Sequence, residues 1–262
     1  MGRFHRHDDG TVHTHDHSDP ENHPHEHHDH GDHSGYETGS QRIDVLESIF
    51  AENDVRADYN RKAFESNGVR ALNLMSSPGS GKTTVLGATL DELAGEFAVG
   101  VIEGDIATDL DAAKLGGRGA QISLLNTGNG FGGECHLDAP MVNRALQGLD
   151  LPDLDLVIIE NVGNLVCPAE FDVGEHAKAM VYSVTEGDDK PLKYPVMFRA
   201  VDVVLLNKID LVPYLDVDVD SYTARVREVN PTATILPISA RTGAGMSAWF
   251  GWLRRFMAAS AS

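Results

Sequence analysis

Short, almost purely apolar runs recur along most of the chain and are separated by stretches whose apolar residues fall at helical spacing. The runs at Leu72–Met75, Phe97–Ile102, Gln121–Leu125, Leu154–Ile159, Lys178–Thr185, Val201–Leu206 and Ala233–Ile238 read as strands. Helical patterns fill Val85–Leu93, a short segment through Lys114, Ala139–Leu149, Tyr222–Val229 and Gly245–Phe256. Strands that are apolar throughout and alternate with helices predict an α/β fold, a mostly parallel sheet flanked by helices on both faces. Upstream, Ile43, Leu46, Ile49, Phe50, Tyr59 and Phe64 form an apolar stripe, so residues 41–70 are expected to be a helix or helical pair packed on the domain spanning 71–262. The first forty residues show no such pattern.

That leading stretch changes the picture through its composition. Eleven of the thirteen histidines lie between His5 and His33, interleaved with Asp, Glu, Gly and Pro. So little apolar surface cannot offset the entropy of ordering, and residues 1–40 are expected to be a disordered tail. Its chemistry is ligation instead. The spacings His13/His15/His17 and His23/His25/His27, with His28 and His30, let neighbouring imidazoles converge on nickel, zinc or copper. At two to four imidazoles per ion, the tail has room for roughly three to five ions. A solubilising tail or an expression tag is the plainer alternative, although a tag is usually an unbroken histidine run.

Residues 1–40 carry a net charge of −7 and leave −12 of the total −19 to the remainder. This balance argues against nucleic acid as a partner and supplies no polybasic membrane anchor. No apolar run approaches the ~20 residues that span a bilayer, and the start lacks a secretory core, so the expected location is the cytoplasm. Two cysteines, Cys135 and Cys167, make no disulfide framework and are expected as reduced thiols.

The strand ending near Met75 runs into SSPGSGKTT, followed by a helix. This is the order a phosphate-binding P-loop requires. Backbone N–H groups of Gly79, Ser80, Gly81 and the helix start, with Thr84, surround phosphate oxygens; Lys82 neutralises them; the Thr83 hydroxyl faces magnesium. Ser76 stands where the usual pattern has its first glycine. Asn207-Lys208-Ile209-Asp210 then selects the base, because the Asp210 carboxylate can accept both the ring N–H and the exocyclic amino protons of guanine. Asn207 is expected to support the loop and the base edge, Lys208 to cover the ring face, and Ser239-Ala240-Arg241 to supply a backbone N–H to guanine. The nucleotide is therefore expected to be GTP.

Asp105 and Glu160 end two of the expected strands, where ligands of such sheets sit. Either suits a magnesium-bound water or the attacking water, and with Lys82 they are the candidate catalytic residues; a salt bridge or helix cap is the structural alternative for each. Asp109 and Asp111 are expected in structural or switch-loop roles, and Gly163 would let the backbone approach the terminal phosphate. Cys135, His136 and Cys167 offer two thiolates and one imidazole, a soft but incomplete shell for zinc or nickel; two buried cysteines beside an unrelated histidine are the alternative. His176 is expected on the surface or in packing.

Taken in order, SSPGSGKTT, EGDIATDLDA, Cys135-His136, ENVGNLVCP and NKID closely resemble the nickel-insertion GTPases of hydrogenase maturation, the HypB family, over about residues 41–262. The histidine-rich head resembles members that also store nickel, and Ser76 fits that family's P-loop. The resemblance implies a P-loop GTPase of the SIMIBI type that hydrolyses GTP slowly. It also implies a homodimer promoted by GTP, with Cys135, His136 and Cys167 of each subunit at a shared metal site. Its implied partners are an immature hydrogenase large subunit and a companion nickel-maturation protein. Some relatives carry a cysteine-rich nickel motif at the extreme amino terminus, and no cysteine lies there in this chain. A urease-maturation GTPase is the nearest alternative, but it places a proline between the Cys and His that are adjacent here. A nickel store with a vestigial nucleotide site, and a GTP-switched chaperone of cobalamin enzymes, are more distant.

Overall fold

The computed structural model describes residues 4–6, 12–14, 40–104, 117–125, 136–164 and 171–259, with side chains described from Phe50 onward. Two units are distinguished, Met1–Ile43 and Asp44–Ser262. In the first, β1 (Phe4–Arg6) pairs antiparallel with β2 (Val12–Thr14), His5 opposite His13. Paired backbone groups satisfy one another, which requires no apolar residue. The other tail histidines singled out above, His15, His17, His23, His25, His27, His28 and His30, lie outside the described residues.

Among the described residues of the second unit, seven strands form one parallel sheet. They are β3 (Arg70–Ser76), β4 (Val99–Glu103), β5 (Gln121–Leu124), β6 (Leu156–Gly163), β7 (Ala177–Ser183), β8 (Val203–Asn207) and β9 (Thr234–Pro237). Their spatial order is β5-β4-β6-β3-β7-β8-β9, so β3 is central and the carboxyl ends of all seven strands face one edge of the sheet. Helices cover both faces. On one, α2 (Lys82–Leu93) contributes Val85, Leu86, Leu90 and Leu93, and the C-terminal helix Met246–Ala258 contributes Met246, Trp249, Leu253 and Phe256, packed on Leu72, Leu74, Leu156 and Ile158. On the other, α3 (Ala139–Leu146) covers Ile102, Val157 and Ile159, while α4 (Lys190–Lys193), α5 (Pro195–Arg199) and α6 (Val219–Val229) flank the core around Met180, Tyr182, Val204 and Leu206. The C-terminal helix is α7.

The segment expected over 41–70 is one continuous helix, α1 (Ser40–Ser66), rather than a pair, and its last residue, Arg70, begins β3. Its buried face also differs from the expected apolar stripe. Asn53, Ala57, Asn60 and Phe64 point inward, whereas Tyr59 is 59% exposed. The asparagines replace apolar contact with hydrogen bonds: Asn53 Nδ2 donates to Asp172 O (2.8 Å) and Ala139 N donates to Asn53 Oδ1 (2.9 Å). Asn60 Nδ2 donates to Ala139 O (2.9 Å) and Val173 O (3.0 Å), and Asn143 Nδ2 donates to Asn60 Oδ1 (2.9 Å). A periodicity search counts only apolar residues, so it misplaces a helix docked in this way. Asp105, Asp109, Asp111 and the short helix expected through Lys114 lie outside the described residues.

Candidate functional site

The turn between β3 and α2 encloses a pocket of about 210 Å³ lined by Ser76 to Thr84 and by Gly163 of β6. Ser76 is the last residue of β3, buried and opposite Gly163, with ordinary strand backbone. A glycine is not needed there. It is needed at Gly81, which caps α2 with φ +99°, and where a Cβ would stand 2.6 Å from Asn207 Nδ2. Gly163 carries no Cβ against Pro78, whose Cα a Cβ would meet at 3.4 Å.

Lys82 begins α2 and is buried, with its Nζ 2.8 Å from Glu160 Oε1; Thr83 Oγ1 donates to the same oxygen at 3.1 Å. The Glu160 side chain is fully buried, and its Oε2 has no hydrogen-bond partner. Glu103 of β4 stands in register beside Glu160. An orphaned buried carboxylate oxygen next to a hydroxyl is a hard, anionic donor set, so these residues fit a magnesium ion. Asp105, the other candidate, lies outside the described residues.

The short turn after β7, Val184–Glu186, contributes a residue that motif reading passed over. Glu186 Oε2 accepts from Ser77 Oγ, and Glu186 Oε1 accepts from Ser183 N at 2.9 Å within a capping box, holding the start of the P-loop to the neighbouring strand. Ser183 and Glu186 have the spacing of that box, which was the available signal.

A second pocket, of about 280 Å³, adjoins the first and shares Gly81 and Thr84 with it. Its remaining walls are Asn207, Lys208, Asp210, Leu211, Ala240 and Arg241. Asn207 ties the two pockets together: Nδ2 donates to Ser80 O (2.9 Å) and Oδ1 accepts from Ala240 N (3.0 Å). Of the backbone N–H groups in Ser239-Ala240-Arg241, that of Ala240 is taken by Asn207. Lys208 sits in the left-handed region (φ 64°), and its Nζ donates to Gly79 O at 2.6 Å, so its stem bridges from the base loop to the P-loop. Asp210 Oδ1 accepts from Ser239 Oγ at 2.6 Å, and its Oδ2 is 3.9 Å from Arg241 Nη1. Asp210 is thus oriented at the wall of a cavity of nucleobase dimensions.

Of the three soft ligands expected from sequence, His136 is described, while Cys135 and Cys167 are not. The His136 ring stacks on Phe171 (centroids 4.2 Å), and Phe171 stacks on Phe50 of α1 (5.2 Å). The segment after Cys135 therefore touches the segment after Cys167. Among the described residues no group of three His, Cys, Asp or Glu forms a metal site. His176 is half-buried and structural: its Nδ1 accepts from Ala71 N (2.9 Å), and burial, then Arg70, holds its pKa below the ordinary imidazole value. Among the described residues no helix is long and apolar enough to cross a membrane.

The sequence matches the CobW/HypB/UreG nucleotide-binding domain model over residues 70–237. It is 50% identical over 216 residues to hydrogenase maturation factor HypB of Azotobacter chroococcum, covering 82% of this chain and 70% of that protein. The structure resembles the crystal structure of HypB from Archaeoglobus fulgidus, with TM-score 0.73 and 37% identity over 79% of this chain and 99% of that one. It also resembles HypB from Helicobacter pylori in complex with nickel, with TM-score 0.72 and 36% identity over 79% and 95% of the two chains. The central P-loop strand, the NKID loop and these likenesses together place the chain in the HypB family of hydrogenase maturation factors.

Proposed function

We propose that the chain is a slow GTP-hydrolysing metallochaperone that binds nickel and assists its insertion into hydrogenase. The observation that carries the reading is the joined pair of pockets, a phosphate cradle and a base cavity fastened together by Asn207, with Asp210 on the base side. Guanine satisfies the Asp210 carboxylate with two N–H groups, whereas adenine would leave it unpaired. Lys82 leaves Glu160 to neutralise the β- and γ-phosphates, and Thr83 with Glu160, joined by Asp105, holds magnesium. When bound, magnesium neutralises charge building on the phosphate oxygens. Glu160 or Asp105 orients the attacking water.

The cargo reading rests on the likeness to a relative whose structure contains nickel, and on the ring contact between His136 and Phe171. In this reading, Cys135, His136 and Cys167 of two subunits form a nickel or zinc site in a GTP-promoted homodimer. A companion nickel-maturation protein and the immature hydrogenase large subunit are its partners. The histidines between His13 and His30 store nickel ahead of that site.

Nickel affinity and dimer fraction measured with and without GTP and magnesium test the core of this reading. Both should rise with nucleotide; values independent of nucleotide would sink it. Asp210→Asn should weaken GTP strongly, and unchanged GTP binding would refute the base assignment. Equal nickel stoichiometry for the full chain and for a chain starting at Gln41 would eliminate storage by the tail.

A further inference from the structure

Three buried polar side chains form a continuous chain beside the nucleotide pocket. Asn161 follows Glu160 directly and is fully buried, as is Asn73 at the centre of β3, and Glu175 is nearly so. Asn161 Nδ2 donates to Asn73 Oδ1 (3.2 Å), and Asn73 Nδ2 donates to Glu175 Oε1 (3.3 Å). Two outward bonds of this chain end on the segments that flank the candidate metal ligands, while Glu175 Oε1 also pairs with Lys178 Nζ of β7 at 3.3 Å. Asn161 Oδ1 accepts from the N–H of Leu137, the residue after His136, at 3.1 Å. Glu175 Oε2 accepts from the N–H of Val173, two residues beyond Phe171, at 2.8 Å. Phe171 is the ring on which His136 stacks.

We propose that Asn161, linked through Asn73 to Glu175, is the positioning residue that passes a change at Glu160 to both segments flanking the metal ligands. The inference rests on the nucleotide-controlled metal binding proposed above and names the residue that exerts the control.

Strand geometry favours this role. β6 pairs with β3 through Leu74↔Glu160 and then Ser76↔Gly163, so β6 carries one extra residue between those pairs. The extra residue is a bulge, and Asn161 Oδ1 also accepts from Val162 N at 2.9 Å within it. Bulges recur beside active sites because they re-aim side chains. Here the ladder is already interrupted between Glu160 and Gly163. A shift of Glu160, as Lys82 and Thr83 exchange its carboxylate for phosphate and magnesium, therefore reaches Asn161 before any regular pairing must break. The surrounding core is Ile102, Leu137, Val157, Ile159 and Val173. In such a setting, side chains that merely fill space would be apolar, since a buried polar group is costly unless every bond is made.

The test uses the full chain and measures nickel affinity by chelator competition in GDP and in a non-hydrolysable GTP analogue, each with magnesium. The readout is the ratio of the two affinities. Asn161→Ala should reduce that ratio at least about fivefold toward unity while nucleotide affinity stays within about threefold of wild type. Asn73→Ser leaves the Leu137 bond in place and should give a smaller loss of the same kind; if Asn161→Ala does not fold, Asn73→Ser decides alone. An unchanged ratio overturns the inference. So does a ratio that falls only in step with nucleotide affinity, which would mark Asn161 as a support for the nucleotide pocket. A wild-type ratio of one would instead defeat the proposed function itself, a result read without either variant.

Discussion

Truncating Asn207 to alanine tests whether that side chain is a strut of the protein or only a contact for the base. Asn207 is 3% exposed, and its amide satisfies the carbonyl of fully buried Ser80 and the N–H of half-buried Ala240. Stranding a buried polar group costs roughly 1–3 kcal/mol, with the lower figure apt for Ala240, where water can enter. The sum is about 2–4 kcal/mol, a substantial fraction of the ~5–15 kcal/mol that stabilises a domain. The loss should appear in urea denaturation of the nucleotide-free protein, because neither bond involves a ligand. Asn207→Asp keeps the acceptor for Ala240 but sets a carboxylate against the Ser80 carbonyl, and should be destabilised at least as much. If Asn207→Ala unfolds within about 0.5 kcal/mol of wild type without nucleotide, the strut reasoning is wrong, since that is the scatter expected of neutral surface changes.

Other consequences can be measured alongside. Gly174 has φ +93°, and a Cβ there would stand 2.6 Å from Ala57 O and 2.7 Å from Asn60 Cβ, so Gly174→Ala should push α1 off the domain. A loss of roughly 2–4 kcal/mol is expected, seen as a lower Tm and faster proteolysis within α1. His176 is held neutral by burial and then by Arg70, against the opposing charge of Glu65. Its folded-state pKa lies below the unfolded value near 6.5, so its contribution to stability is full above about pH 6.5 and drains as pH falls through that value toward the folded one. His176→Asn, which retains an acceptor for Ala71 but does not titrate, should flatten the pH dependence of Tm in that window; an unchanged slope would assign the dependence to other groups. Glu186→Ala releases Ser77 and should raise the dissociation constant for GTP roughly tenfold, the effect of one lost charge-assisted bond. Equal binding would show that the P-loop does not depend on it.

What could be read from sequence and what could not divides by how far apart the partners lie along the chain. The P-loop and NKID are contiguous, and each spells out its own local geometry, so Gly81, Lys82, Thr83 and Asp210 were accessible as residues. The strands were visible as apolar runs, with ends shifted by at most four residues where hydrogen bonding rather than hydropathy sets the limit. Ser77 and Glu186 are 109 residues apart, and Asn73 and Glu175 are 102 apart. Neither pair has a pattern until the sheet order brings β3 beside β7. The α1 stripe was misplaced because Asn53 and Asn60 dock it with amides, which hydropathy counts as outward-facing. The ring stack of Phe50, Phe171 and His136 joins three distant segments and leaves no local trace.

The central place of β3 also sets how far a local change can spread through the sheet. Residues aimed at the base enter from β8 and β9, on one flank of that strand. The segment around His136 follows β5 on the other flank, and the segment around Phe171 crosses from β6 on that flank to β7. A substitution beside His136 therefore leaves the pairing of β8 with β9 untouched, and one in the pocket around Asp210 leaves the pairing of β4 with β5 untouched. Between them β3 pairs with β6 on one side and β7 on the other, so a change within it is felt on both flanks at once.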